Sequence, residues 1–147
     1  MINILFLNDM KTKLFTVIFV TTLLSGAYFM ISADQVEPDE KASVIAMYMY
    51  ADWCGACQAI KPKMAEATRQ FEGQPILFTR MDMTDDFTAH QSKLLATGLG
   101  IQEIFEKNEG MTGFVLLIDA DTHEILNKIT TEDDTEGIKR KITAAIH

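Results

Sequence analysis

Cysteine is almost absent from this sequence: Cys54 and Cys57 are the only two in 147 residues. Two cysteines cannot staple a domain of this size, so its stability must come from an apolar core, and by themselves they cannot supply four thiolates to a zinc ion. Histidine is also scarce, and His90, His123 and His147 show no metal-ligand spacing. Proline occurs only at positions 38, 62 and 75. Positive charge is in deficit, with 13 Lys and Arg against 21 Asp and Glu for a net charge of -8, which disfavours nucleic acid and anionic membrane as partners. Internal repeats and low-complexity tracts are missing too. A chain of this length is expected to form one domain.

One stretch departs from that acidic composition. Leu14 to Ala33 is an apolar run without a charge, preceded by Lys11 and Lys13. The pattern predicts that residues 1–33 are a secretory signal peptide, with cleavage after Ala33, or a membrane anchor if the run is never cut, since about 20 apolar residues suffice to span a bilayer. Its loss would remove one negative and two positive charges (Asp9, Lys11 and Lys13) and leave -9 in place of -8. Residues 34–42 then form a polar linker and residues 43–147 the domain. The expected location is the periplasm or the exterior, where paired cysteines fit an oxidising compartment.

Along the domain, Ser43 to Tyr50 is a short apolar run of β-forming residues and predicts a buried strand. From Cys54 to Phe71 the residues Ala59, Ile60, Met64, Ala67 and Phe71 recur at helical steps, and Pro62 should bend that helix. A second strand is expected over Ile76 to Asp82. A helix then runs from about Asp86 to Thr97, capped by Asp85 or Asp86, with Phe87, Leu94 and Leu95 facing inward. Ile101, Ile104 and Phe105 mark a short insert helix. Gly113 to Asp119 and Glu124 to Thr130 form a hairpin, and Ile138, Ile142 and Ile146 stripe a last helix. This order predicts an α/β fold with a mixed central sheet and helices on both faces. Met47, Met49, Met81 and Met83 alternate along strands and read as core filling.

The cysteines fall where the first strand hands over to the first helix. Unpaired N–H groups and the positive end of the helix dipole favour a thiolate there. Cys57, three residues on, shares a helical face with Cys54, so a disulfide needs little distortion. The pair therefore reads as a redox couple, with the more exposed Cys54 attacking a disulfide and the more buried Cys57 resolving it. Two other readings stay open: a structural pair, and two soft ligands of a copper or zinc carrier.

The stretch "ADWCGAC" after an apolar strand resembles the active site of the thioredoxin superfamily, and "YADWC" is similar to exported reductase domains fed by a membrane electron conduit. Pro62, five residues after Cys57, matches that family's helix-bending proline, and the order of elements from about residue 42 to 147 matches its three-layer fold. The resemblance implies a thiol–disulfide oxidoreductase, preferably a reductase, that needs no dissociable cofactor or metal. It implies disulfide-bearing protein substrates, an upstream membrane or soluble electron donor, a monomer, and membrane contact only through a retained N-terminal segment. A redox-inactive adaptor using the same groove is its binding-module alternative.

Two positions depart from the family pattern. Its cis-proline facing the cysteines is absent, and Thr112-Gly113 stands in its place, where a trans peptide is expected because a non-proline cis bond costs about 2.5–4 kcal/mol. Its buried acid is replaced by Tyr48, whose phenol, with a pKa of about 10, is a poor base at neutral pH. Asp52 or water is then the expected proton acceptor, and Arg80 matches the basic partner of the lost acid or acts on a thiolate. Gly55 and Ala56 lie between the cysteines, where the family's reductants and oxidants carry other pairs. Trp53 is expected to form an aromatic rim facing substrate.

Overall fold

The computed structural model describes residues 41–146, which belong to one compact unit. The expectations for residues 1–33, for the linker before Lys41 and for His147 lie outside these residues. Among residues 41–146 no helix is long and apolar enough to cross a membrane.

Strand β1 (Val44–Tyr50) is the apolar run before the cysteines, and its two faces feed two cores because successive side chains point to opposite sides. Val44 and Ala46 enter one core, while Ile45, Met47 and Met49 enter the other. The next element is α1 (Gly55–Ala67), which continues through Pro62 and tightens into a 3-10 turn at Thr68–Phe71. Its buried stripe is Cys57, Ile60, Met64 and Ala67, extended by Phe71. Ala59, expected in that stripe, is exposed, because it lies about 100° around the helix from Ile60.

This helical crossover returns the chain to β2 (Ile76–Asp82), parallel to β1 with Val44 opposite Ile76 and Tyr50 opposite Asp82. Helices α2 (Asp86–Gly98) and α3 (Gln102–Lys107) follow, then the hairpin of β3 (Phe114–Asp119) and β4 (Ile125–Ile129), and finally α4 (Thr135–Ile146). Strand β3 runs antiparallel to β1 and to β4, with a register shift at Leu117/Ile118, which gives the order β2-β1-β3-β4. Helices α1 and α4 cover one face of the sheet through Ile60, Met64, Ile138 and Ile142. Helices α2 and α3 cover the other through Ala96 and Phe105, on which Met47, Met49 and Met81 pack. The mixed sheet layered between helices is the expected α/β architecture.

Helix α2 begins as expected, with Asp85 accepting the Thr88 N–H at 2.8 Å in a reciprocal capping box. Its orientation differs from the sequence reading. Phe87, Leu94 and Leu95 are exposed, and the residues turned to the sheet are Ser92 and Ala96. The reason is the close approach to β2, where the Ser92 hydroxyl donates to the Asp82 carbonyl at 2.9 Å. An ion pair of Lys93 with Glu106 at 2.9 Å and a hydrogen bond from Thr97 to Gln102 at 3.0 Å then set which flank meets α3. The bulky residues are left on the far side.

The loop from β4 to α4 is gathered by Asp133. Its carboxylate accepts from the Thr130 N–H at 2.9 Å and the Lys141 ammonium at 2.8 Å, while Lys63 of α1 donates to the Thr131 and Asp133 carbonyls at 2.8 Å each. Burial works to raise the Asp133 pKa, but the Lys141 hydrogen bond, the Thr130 N–H and the charges of Lys141 and Lys63 outweigh it and hold it below 3.8. A carboxyl depressed on folding contributes stability that is present above its unfolded pKa and lost as pH falls through its folded one. The urea midpoint is therefore expected to drop below about pH 4. Asp133→Asn should be less stable at pH 7 and show a shallower drop between pH 7 and pH 3; an unchanged profile would remove Asp133 from the account.

Candidate active site

The site lies at the carboxyl end of β1. After the buried residues Met49, Tyr50 and Ala51 the chain turns, and Cys54 takes extended backbone angles (φ -83°, ψ 109°) as the N-cap of α1. Its sulfur accepts the Cys57 N–H at 3.0 Å, so it occupies the position where an ordinary cap places an oxygen. The first turn of α1 carries no acidic residue to oppose a charge on that sulfur. Cys54 and Cys57 are joined as a disulfide, with Cα atoms 5.2 Å apart. Cys54 is 7% exposed, whereas Cys57 is fully buried with its sulfur 3.8 Å from the Met49 carbonyl oxygen. The pair is therefore asymmetric, with a small exposed area left on Cys54 and none on Cys57.

Gly113 lies against this pair. Its N–H donates to the Met49 carbonyl at 2.8 Å, and its φ of +91° falls in the left-handed region that glycine tolerates. A Cβ there would come within 2.6 Å of the Ala56 Cβ and 3.4 Å of the Cys54 sulfur. Thr112 is half-buried, and the Thr112–Gly113 peptide is trans. The chain thus approaches the cysteines with a bare backbone, and Ala56 is one of the walls it meets. Gly55, exposed at the start of α1, has open space around it.

Tyr48 is half-buried and donates its hydroxyl to the Cys57 carbonyl at 2.9 Å. Burial above all, helped by Tyr50 and opposed by Arg80, pushes its pKa up to about 12. A phenol so disposed ties β1 to α1 and keeps its proton at neutral pH. Tyr50 meets Tyr48 edge to face, with ring centroids 5.6 Å apart, and donates to the exposed Asp52 carboxylate at 2.5 Å. That hydrogen bond is the main reason the Tyr50 pKa is raised. Arg80 places its guanidinium over the Tyr50 ring, 4.8 Å from the centroid, and pairs with Asp82 at 3.5 Å. Trp53 is 65% exposed and donates its indole N–H to the Thr84 carbonyl at 3.2 Å.

Sequence reasoning missed two participants, Thr84 and Gln58. Gln58 donates to the Asp52 carbonyl at 3.3 Å and to the Tyr50 hydroxyl at 3.4 Å. Thr84 sits in "DMTDD", which reads as a solvated turn, and only the return of β2 beside β1 brings it to Asp52 and Trp53. Among the described residues no group of three or more His, Cys, Asp or Glu side chains converges as a metal-ligand set.

The sequence model of the thioredoxin family matches residues 32–107. Thioredoxin F2, chloroplastic, of Arabidopsis thaliana is 33% identical over 61 residues, covering 42% of this chain and 29% of the relative. Thioredoxin-like protein 1 of Schizosaccharomyces pombe is 27% identical over 62 residues, covering 42% of this chain and 19% of the relative. The aligned stretch is therefore less than a third of either relative. The crystal structure of a thiol:disulfide interchange protein of the thioredoxin family from Chlorobium tepidum superposes with a TM-score of 0.51 at 16% identity, over 74% of this chain and 83% of that one. The family match spans more than half of the sequence and takes in the strand, the cysteine pair and the helix that Cys54 caps, and on that ground the chain belongs to the thioredoxin family.

Proposed function

We propose that the protein is an exported thiol–disulfide oxidoreductase that reduces disulfides of other proteins through the Cys54/Cys57 couple. The observation that carries this reading is the asymmetry of the pair at the start of α1, with the Cys54 sulfur accepting a helix N–H and Cys57 the more deeply buried of the two. In the reduced protein the Cys54 thiolate attacks one sulfur of a substrate disulfide, forming a mixed disulfide and expelling the other sulfur as a thiolate that takes up a proton. Cys57, losing its proton, then attacks the Cys54 sulfur. The substrate leaves as a dithiol, and a Cys54–Cys57 disulfide remains for a membrane or soluble dithiol donor to reduce. Export is supported by Lys11, Lys13 and the apolar run from Leu14 to Ala33.

The test uses the purified protein with insulin as a protein disulfide and dithiothreitol as the electron source, alongside exchange with oxidised glutathione. Catalysed reduction of insulin is the expected result. Failure with both substrates removes the enzymatic reading. Stoichiometric copper or zinc in protein purified under reducing conditions, lost in a Cys54/Cys57 double mutant, would replace it with metal carriage.

A further inference from the structure

The segment that leads from β1 into Cys54 is clasped at Asp52 by three side chains. The Tyr50 hydroxyl donates to the Asp52 carboxylate at 2.5 Å, and the Thr84 hydroxyl accepts the Asp52 N–H at 3.0 Å. The Gln58 amide donates to the Asp52 carbonyl at 3.3 Å and to the Tyr50 oxygen at 3.4 Å. Gln58 belongs to the first turn of α1 and donates its own N–H to the Cys54 carbonyl at 3.2 Å, so the clasp spans the cysteine pair. Tyr50 is buried in one apolar cluster with Ala51, Cys54 and Cys57. The carboxylate bonded to its hydroxyl is thereby held beside that cluster, two residues before Cys54. Arg80, the cation over the Tyr50 ring, is offset by its ion pair with Asp82. Among the described residues Asp52 has no lysine or arginine partner, which leaves its negative charge unbalanced next to the pair.

We propose that Asp52 is a fixed negative charge beside Cys54, positioned by Tyr50 and Gln58, and that it makes the Cys54/Cys57 couple a stronger reductant. The inference rests on the thiol–disulfide reading of the site. A carboxylate repels a thiolate and is indifferent to a neutral disulfide, so its field acts only on the reduced half of the couple. The Cys57 N–H and the dipole of α1 stabilise a Cys54 thiolate, and Asp52 opposes them. A couple whose reduced form is stabilised is an oxidant, so raising the energy of that form lowers the potential. This role differs from the proton acceptance expected of Asp52. A charge that stays in place shifts the equilibrium of the couple, whereas a base changes only its rates.

The experiment equilibrates the full-length protein with reduced and oxidised dithiothreitol, both uncharged, at about pH 8, where a thiol at a helix N-terminus is ionised. Thiol alkylation reads the dithiol fraction. Asp52→Asn keeps an acceptor for the Tyr50 hydroxyl and removes the charge. Its equilibrium should shift about threefold to tenfold toward the dithiol, the factor for one nearby charge in water, which makes the potential roughly 15–30 mV less negative. Asp52→Glu, which keeps the charge, should stay within about twofold of the wild type. Because Asp52 is exposed, about 1 M salt should shrink the difference between Asp52→Asn and the wild type. Tyr50→Phe frees the carboxylate and should shift the equilibrium the same way by a smaller factor, adding nothing to Asp52→Asn in the double variant. Should Asp52→Asn not fold, Asp52→Ser removes the same charge. An unchanged or more negative potential in Asp52→Asn, a shift that survives salt in full, or a Tyr50→Phe shift that adds in full would each overturn the proposal. Slower insulin reduction by Asp52→Asn at an unchanged potential would make Asp52 the proton acceptor instead. A wild-type pair that reaches no equilibrium with dithiothreitol overturns the thiol–disulfide reading and this inference together, whereas a wild type that equilibrates and is matched by Asp52→Asn overturns this inference alone.

Discussion

Cys54→Ser is expected to abolish disulfide reduction, by on the order of 10³-fold or more, while leaving the fold intact. Serine is a preferred N-cap residue, so its hydroxyl can take the Cys57 N–H that the sulfur now accepts, and α1 keeps its start. What is lost is the ionisable sulfur of the less buried cysteine of the pair. Cys57→Ser is expected to behave differently. Cys54 can still attack a substrate disulfide, but nothing then releases the adduct, so a covalent complex with substrate should accumulate on a non-reducing gel and disappear on adding dithiothreitol. Substantial insulin reduction by Cys54→Ser, or adduct formation by Cys54→Ser and not by Cys57→Ser, would reverse the assignment that burial makes. Thermal unfolding of both variants, compared with the reduced wild type, checks that activity and not folding has changed.

Gly113→Ala should be the most damaging single-methyl change at the site. An alanine at φ +91° pays about 1–2 kcal/mol for a left-handed backbone, and its methyl, placed 2.6 Å from the Ala56 Cβ, forces the loop and α1 apart at an overpacking cost of roughly 1–3 kcal/mol. Because Ala56 lies between the two cysteines, its displacement moves the Cys54 sulfur as well, and disulfide reduction should fall together with stability. Ala56→Gly separates the two contributions. In the double variant the methyl finds room, so the collision is relieved while the backbone strain remains, and the two substitutions should be less harmful together than the sum of each alone. Urea unfolding of the four proteins measures this coupling. Strict additivity would mean that Gly113 is required for its backbone angle only.

Much of the fold was legible because periodicity and burial go together in strands and in helices that meet a sheet broadly. The apolar run before Cys54, the stripe from Ile60 to Phe71, strand β3 of the hairpin and the Ile138–Ile142 stripe all enter the cores on the two faces of the sheet. Helix α2 was not legible in this way. Its apolar residues suggested one face, yet a close approach to β2 admits only Ser92 and Ala96, and the distance between a helix and a strand is not written in either segment. Tyr48 illustrates the same limit at the site: its identity announced a missing acid, while its bond to the Cys57 carbonyl depends on how α1 lies on β1.

By itself, then, the sequence determined the order of elements, the place of the cysteines at the start of a helix and the family to which that motif points, because each of these follows from neighbours within a few residues. Only the tertiary structure decided why position 113 bears no side chain, and how Thr84 comes to hold Asp52 and Trp53 from 31 or 32 residues away. These depend on contacts between separate segments, and such contacts exist only once the sheet has set the distance from β1 to β2 and β3.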